Sequence, residues 1–164
     1  MTKEDYPITS AIRILREKNI TFKPYLYQYE DHGGTRQFAT EFHIPEHYVI
    51  KTLIFETDQK APLLMLMHGN KEVSTKQLAR ILGVKSIMPC DEKTAQRYTG
   101  YQFGGTSPFG TRHTLPVYVE KTILELQQIY INGGKRGFII AITPKDLAIV
   151  LTFTEVETAI IPHS

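Results

Sequence analysis

Apolar residues near the N-terminus repeat with the period of an amphipathic helix. Four of them stand at positions i, i+3, i+4 and i+7, which predicts a helix from about Pro7 to Lys18 with one face on a core. The four residues are Ile8, Ala11, Ile12 and Leu15.

Four more helices are predicted from residues that begin or end a helix. Ser74 and Gln77 form a capping-box pattern, in which the two side chains satisfy free backbone amides, and Gly83 can end that helix. Asp91 and Thr143 are N-cap residue types placed before two further helical segments. The predicted ranges are Thr35 to Phe42, Ser74 to Gly83, Asp91 to Tyr98 and Thr143 to Leu151.

Seven short apolar runs predict strands. The first run contains Pro24, which has no amide hydrogen for a central ladder and is therefore predicted at a sheet edge. Strands and helices alternate irregularly, and many connections are too short for right-handed crossovers. We therefore expect an α+β fold with a mixed, largely antiparallel sheet, in a single domain over residues 1–164. The runs are Phe22–Tyr29, Val49–Phe55, Leu63–His68, Val84–Met88, Val117–Val119, Ile129–Ile131 and Phe138–Ile142.

Composition and charge narrow the class of protein. Hydrophobic residues make up 41% and charged residues 22%, as in an ordinary folded domain, and the net charge of +2 gives no overall basis for wrapping a nucleic acid. The apolar runs are strand-sized, whereas a membrane span needs about 20 residues, so no membrane partner is expected. Cys90 is a single cysteine, and Met1–Tyr6 carries acidic residues where a signal peptide needs basic ones, which together predict a cytoplasmic protein.

The segment Gly104–Gly110 holds three glycines and a proline in seven residues, so its backbone amides could form an anion-binding concavity. The sequence fits neither a Walker A loop nor a nucleophile elbow, and a plain surface loop remains the alternative. Four flanking aromatic side chains could stack a nucleobase or belong to the core. They are Tyr98, Tyr101, Phe103 and Phe109.

Two further features are candidates for an anionic ligand. Asn132–Gly137 has the composition of a hairpin turn, but Lys135 and Arg136 could make it a phosphate or carboxylate site. Lys51 falls inside an apolar strand pattern, so it either reaches solvent from the end of the strand or lines a cleft as a cation.

The histidines and Cys90 give weaker evidence for a catalytic or metal site. His43 and His47 are separated by Pro45 and do not predict a metal site. His68 and His113 are candidate acid–base groups only because they lie near strand ends and loops, and Cys90 is predicted to be an inert buried thiol. No catalytic triad can be assembled from these residues.

Three motifs, in this order, resemble the YbaK/ProX family of aminoacyl-tRNA deacylases, which is related to the editing domain of bacterial prolyl-tRNA synthetases. The resemblance covers nearly the whole chain and implies a mixed, barrel-like sheet surrounded by helices. It also implies trans-editing, that is, hydrolysis of the ester bond of a mischarged tRNA, with tRNA(Pro) carrying Cys or Ala as the expected substrate. The 3′ acceptor end of aminoacyl-tRNA is then a partner, prolyl-tRNA synthetase is a second candidate partner, and no cofactor or metal is implied. The motifs are Val49–Leu53, Gly100–Tyr101 with Gly104–Gly110, and Ile129–Gly137.

The resemblance also implies site residues. Lys51 matches the family's essential lysine, which contacts the terminal nucleotide region, and Gly105 is expected to present its amide to the ester carbonyl. These two are the expected catalytic residues. The expected substrate-binding residues are Gly104, Thr106, Ser107, Pro108, Gly110, Gly133, Gly134, Lys135 and Arg136.

In this family no protein nucleophile is required, and catalysis is attributed to a cysteinyl thiol, a ribose hydroxyl or a positioned water. Many members carry an acidic residue where this chain has Ile139, so the pocket is expected to recognise a different aminoacyl group or to hold the α-amino group in another way. The alternative function is a non-catalytic binding module for an RNA 3′ end or an aminoacyl ester.

Overall fold

A computed structural model describes residues 5–162, which form five α-helices, ten β-strands and two 3-10 turns at Glu46–Tyr48 and Lys121–Glu125. The helices are α1 (Ser10–Glu17), α2 (Gly34–Phe42), α3 (Thr75–Leu82), α4 (Glu92–Thr99) and α5 (Pro144–Val150). The strands are β1 (Lys23–Leu26), β2 (Val49–Thr57), β3 (Pro62–His68), β4 (Glu72–Val73), β5 (Ile87–Pro89), β6 (Val117–Glu120), β7 (Ile129–Lys135), β8 (Phe138–Ile142), β9 (Thr154–Val156) and β10 (Ala159–Ile160).

All five predicted helices are present, and their caps explain their bounds. Thr9 accepts the amide of Ile12 at 3.1 Å, so α1 begins at Ser10 rather than at Pro7 as predicted. The Asp91 carboxylate accepts the amide of Thr94 at 2.7 Å, and this hydrogen bond starts α4. Gly100 then ends α4 in the left-handed conformation, with φ +78°.

The main sheet mixes both strand directions, as predicted. Its strand order is β1-β8-β7-β2-β3-β6-β9, and β5 also pairs with β2, while β4 and β10 form a separate pair. The pairs β1–β8, β7–β8, β2–β3 and β2–β5 are antiparallel, whereas β2–β7, β3–β6 and β6–β9 are parallel. Pro24 lies on β1 at one end of this order, which confirms the predicted edge position. The α+β fold with a mixed sheet is therefore confirmed.

Strand β2 is the point at which the sheet divides. One side of β2 pairs with β3 from Ile50 to Glu56. The other side pairs with β7 only at Val49 and Ile50, and with β5 only from Phe55 to Thr57. Within the described chain, residues 51–53 therefore face a gap in the sheet rather than a neighbouring strand.

The helices cover the sheet through buried apolar faces. Ala11, Ile12 and Leu15 of α1 are fully buried in the largest core cluster, which confirms three of the four residues predicted for the inner face. The prediction is wrong for Ile8, which lies before the first residue of α1 and is exposed. Helix α3 packs on β3 through Leu78, and α2 packs on Val49 through Phe38. Between residues 5 and 162, no helix combines the length and the apolar character that a bilayer crossing requires.

Candidate functional site

A cavity of about 500 Å³ occupies the gap beside β2. One wall is β2 itself, from Ile50 to Phe55, and a second wall comes from the segment that leads into α2. The start of α4 and the first glycine-rich loop complete the lining. The inner surface is mainly apolar, with contributions from Phe38, Ile54 and Ile139, so a ligand group placed there leaves water.

Lys51 lines this cavity and is partly buried. Burial lowers the pKa of its ammonium group from the ordinary value, and the negative charges of Glu72 and Glu46 oppose that shift. Among the described residues, no carboxylate oxygen lies within 4 Å of the Lys51 ammonium. The sequence left two alternatives, a lysine that reaches solvent from the end of the strand and a lysine that lines a cleft. In the structure Lys51 lines a cleft.

Thr52 places an unused hydroxyl beside Lys51. Its Oγ1 atom is buried and has no hydrogen-bond partner among the described residues, and the residue lines the cavity. Buried hydroxyls are usually paired, because leaving one without a partner costs about 1–3 kcal/mol. The protein therefore leaves this polar atom of β2 unsatisfied.

The first glycine-rich loop contributes Gly104 and Thr106 to the cavity. Gly104 has φ +87°, and a Cβ atom there would lie 2.5 Å from the hydroxyl of Tyr29, so only glycine fits. The backbone amides of Gly104 and Thr106 donate to no acceptor in the described protein. These amides are available to a bound carbonyl or phosphate oxygen.

The other residues of this loop pack against the interior of the protein and against α1. Ser107 is fully buried, and its Oγ accepts the amide of Phe109 at 3.2 Å. Pro108 is also buried, and a Cβ at Gly110 would lie 2.7 Å from the carbonyl oxygen of Ser10 in α1. None of these residues lines the cavity, so the geometry does not support the predicted substrate contacts of Ser107, Pro108 and Gly110.

Gly105 lies where the first glycine-rich loop meets the turn between β7 and β8. Its amide donates to the carbonyl oxygen of Gln102 at 2.8 Å, and the residue is buried outside the cavity lining. A Cβ at Gly105 would lie 2.6 Å from the amide nitrogen of Arg136. The geometry therefore does not support an amide presented to substrate, and the glycine is required because two loop backbones touch there.

The second glycine-rich motif covers the end of β7, where the register shifts between Asn132 and Lys135, and the turn to β8 at Arg136 and Gly137, which confirms the hairpin interpretation. A Cβ at Gly133 would overlap the Phe138 ring, and Gly134, with φ +103°, packs against Tyr101 and Thr9. The Asn132 carboxamide oxygen accepts the amides of Gly134 at 2.6 Å and of Lys135 at 3.2 Å.

Only Asn132 of this motif lines the cavity directly. Gly133 and Gly134 pack inward, and Lys135 is exposed at the end of β7, so the geometry does not support their predicted contacts with substrate. Arg136 reaches the rim of the cavity instead. Its Nε donates to the carbonyl oxygen of Phe103 at 2.7 Å, and its guanidinium carbon lies 4.9 Å from the centre of the Tyr29 ring.

Cys90 and His68 lie in environments that disfavour a reactive thiolate and a catalytic base. Cys90 lines the cavity, but burial and then the charge of Glu56 raise its pKa to about 11, which keeps the thiol protonated. His68 is buried outside the cavity lining, and burial lowers its pKa. Its Nε2 lies 2.6 Å from the Thr122 hydroxyl and its Nδ1 lies 2.7 Å from the His47 carbonyl oxygen, so both ring nitrogens are occupied.

Sequence reasoning missed the wall opposite β2. Tyr27 and Tyr29 follow β1, and Thr35 and Phe38 lie on one face of α2. Glu92, the first residue of α4, also lines the cavity. Only the i, i+3 spacing of Thr35 and Phe38 in the sequence indicates a shared face, and nothing local connects that face with β2.

The cavity and its loops can be compared with those of known proteins. EbsC of Enterococcus faecalis, for which Cys-tRNA(Pro)/Cys-tRNA(Cys) deacylase activity is proposed, is 28% identical over 153 residues, which cover 92% of this chain and 93% of EbsC. The proline–tRNA ligase of Streptococcus equi subsp. zooepidemicus is 29% identical over 102 residues, which cover 62% of this chain and 16% of the ligase.

A solved structure shares the fold. The crystal structure of a proposed trans-editing enzyme for prolyl tRNA synthetase matches with a TM-score of 0.75 at 19% identity, over 93% of this chain and 99% of that one. In addition, residues 31–149 match the family model of the aminoacyl-tRNA editing domain. These residues include Lys51 and both glycine-rich loops, and they confirm the resemblance found in the sequence. The chain belongs to the aminoacyl-tRNA editing domain family.

Proposed function

We propose that the protein hydrolyses in trans the ester bond of a mischarged aminoacyl-tRNA, with tRNA(Pro) carrying Cys or Ala as substrate. We further propose that the deacylase domain extends over residues 1–164. The observation that carries the proposal is Lys51, a cation without a carboxylate partner within 4 Å among the described residues, on the wall of an apolar cavity. Such a cation suits the negatively charged end of an RNA, and the cavity beside it suits an amino-acid side chain.

The catalytic power then comes from orientation and from backbone dipoles. Lys51 holds the terminal nucleotide, and the apolar interior takes the aminoacyl side chain. The amides of Gly104 and Thr106 stabilise the negative charge that develops on the carbonyl oxygen, in place of the amide expected of Gly105.

The attacking group comes from the substrate or from water. Ser107 is buried and hydrogen-bonded, and the thiol of Cys90 stays protonated at neutral pH, so both are poor nucleophiles. A water molecule, oriented by the 2′-hydroxyl of the terminal ribose, remains for the attack on the ester carbonyl, or a cysteinyl thiol attacks first and water then opens the resulting thiolactone. The bond between the carbonyl carbon and the ester oxygen breaks, and that oxygen takes the proton of the attacking group and leaves as a ribose hydroxyl.

Glu92 is the candidate partner of the substrate's α-amino group. Many family members carry an acidic residue at the position of Ile139, and Ile139 here lines the cavity as a buried apolar side chain. Among the described residues that line the cavity, Glu92 is the acidic one. A carboxylate there can neutralise the ammonium group that Ile139 cannot bind.

A deacylation assay tests these assignments. The protein is incubated with alanyl-, cysteinyl- and prolyl-tRNA(Pro), with and without prolyl-tRNA synthetase, and loss of the acyl bond is followed. We expect hydrolysis of the alanyl or cysteinyl ester and protection of the prolyl ester. Glu92→Gln should slow this hydrolysis while leaving N-acetylalanyl-tRNA(Pro) unaffected, and Glu157→Gln, an exposed site away from the cavity, is the control. Retained tRNA binding without hydrolysis of any ester would support the binding module instead.

A further inference from the structure

The four aromatic residues around the first glycine-rich loop occupy different environments. The hydroxyl of Tyr101 donates to the carbonyl oxygen of Phe109 at 2.5 Å, and both side chains are buried in the core. Tyr98 packs edge-on against His113, with ring centres 5.7 Å apart. Phe103 differs from all of these, because it is 55% exposed and lines the cavity.

The backbone of Phe103 is held in place at the cavity rim. Its carbonyl oxygen accepts the hydrogen bond of Arg136 Nε, and the same guanidinium stacks on the ring of Tyr29. Tyr29 in turn lies against Gly104, the next residue in the loop. The rim therefore presents a flat apolar face from a braced loop, next to a fixed cation.

We propose that Phe103 is the platform on which the 3′-terminal nucleobase of the RNA stacks. This inference rests on the proposed function, because it places the base of the same substrate whose ester enters the cavity. A nucleobase fits this position better than an aminoacyl side chain does. Its polar edges remain in water while one face covers the exposed ring, whereas the apolar interior near Phe38 and Ile54 suits the amino acid.

Charges around Phe103 support RNA as the occupant. Lys51 lines the same cavity, and Arg136 lies at its rim. Within the described chain, the two terminal nitrogens of Arg136 donate to no protein acceptor, so they can meet a phosphate that precedes the stacked base. A free amino-acid ester has no phosphate and would leave this cation unused.

The test compares two esters of the same amino acid. One is the 2′(3′)-O-alanyl ester of adenosine, and the other is the alanyl ester of 1,4-anhydroribitol, which keeps the hydroxyls but has no base. Phe103→Ala should raise KM for the adenosine ester about tenfold with little change in kcat, and should leave the base-free ester unaffected. Phe103→Trp should restore the KM of the parent, whereas Phe103→Leu, which is apolar but has no flat face, should not.

Ile149→Ala is the matched control, since Ile149 is 57% exposed on α5, outside the cavity lining. An equal loss on both esters, or no loss on either, would overturn the platform.

A binding measurement separates this failure from failure of the proposed function. If the parent hydrolyses neither alanyl- nor cysteinyl-tRNA(Pro), the deacylase proposal fails. Weaker binding of uncharged CCA-ended RNA by Phe103→Ala, with unchanged binding of the same RNA ending in an abasic ribose, would still support stacking, and equal binding by parent and variant would reject it.

Discussion

Lys51 and Glu120 are charged side chains that the fold withdraws from water to different extents and with different compensation. The Glu120 carboxylate is buried at the end of β6 and accepts three hydrogen bonds from the C-terminal segment. The donors are the amide and the hydroxyl of Thr158, at 2.8 and 3.1 Å, and the amide of Ala159, at 3.2 Å. Lys51 is partly buried in the cavity and has no such protein partners among the described residues.

This contrast separates a structural charge from a binding charge. Burying a charge is costly unless protein groups replace its hydration, and at Glu120 they do so. At Lys51 that cost is only partly offset by distant carboxylates, so a ligand can complete the environment.

The largest effect is expected from Lys51→Ala. Loss of the cation should raise the free energy of the transition state by about 2–5 kcal/mol, which lowers kcat/KM for aminoacyl-tRNA roughly 30- to several-thousandfold. The free energy of unfolding should stay within about 0.5 kcal/mol of the parent or rise, because the variant no longer buries an uncompensated ammonium group. Steady-state deacylation and urea unfolding measure the two quantities.

Lys76→Ala, an exposed lysine on α3, controls for the general loss of a positive charge. Activity of Lys51→Ala equal to that of the parent would remove Lys51 from the site. It would also remove the contrast with Glu120.

Glu120→Ala should show the opposite pattern. It leaves two amides and a hydroxyl without their acceptor, so the free energy of unfolding should fall by about 3 kcal/mol. Activity per folded molecule should not change, since Glu120 does not line the cavity. Glu157→Ala removes an exposed carboxylate 3.5 Å from Lys121 and should cost at most about 1 kcal/mol. A loss of activity in folded Glu120→Ala would contradict a purely structural role.

Gly105→Ala should affect stability and activity together. The new methyl group meets the backbone at Arg136 and must push the two loops apart, at a cost of about 1–3 kcal/mol. The displaced loop also moves the amides of Gly104 and Thr106, so turnover by the folded fraction should fall. Gly83→Ala is the control for a loss of stability without loop displacement, because its positive φ of +71° strains an alanine while an added Cβ meets no atom within 4 Å. A normal rate in folded Gly105→Ala would take this loop out of catalysis.

The smallest effect is expected from Cys90→Ser. A thiol with its pKa raised to about 11 supplies almost no thiolate at neutral pH, so the substitution should change kcat/KM by no more than about twofold. Iodoacetamide should alkylate the parent slowly at pH 7. A loss of several orders of magnitude without unfolding would restore covalent catalysis by the protein.

Local signals in the sequence were enough to find the helices and the loops of the site. Ser74, Asp91 and Gly100 set helix ends through contacts within a few residues, and the structure has them as predicted. The alternation along β2 limited Lys51 to two orientations without choosing between them. That choice depends on where β7 and β5 leave β2, which is decided by distant pairing.

The glycine motifs show the same limit. Their glycine content predicts that another segment approaches the backbone closely, but it does not identify that segment. Gly104 is close to Tyr29, Gly105 to Arg136 and Gly110 to Ser10, and each contact joins segments far apart in the chain. A sequence pattern therefore located the loops, but it could not separate the residues that face the cavity from those that brace the fold.

The division of the sheet at β2 also bears on how the protein folds during synthesis. β2 and β3 can form a hairpin as soon as both have left the ribosome, because they are adjacent in the chain. The parallel partner of Val49 and Ile50 lies at Tyr130 and Ile131, so that pairing must close a loop of about 80 residues. The hairpin that carries Lys51 thus waits for Asn132 of β7 and Ile139 of β8, which complete the lining of the cavity. Nascent chains that end before β7 lack both of these residues, and we expect the site to become competent only after β7 and β8 have been synthesised.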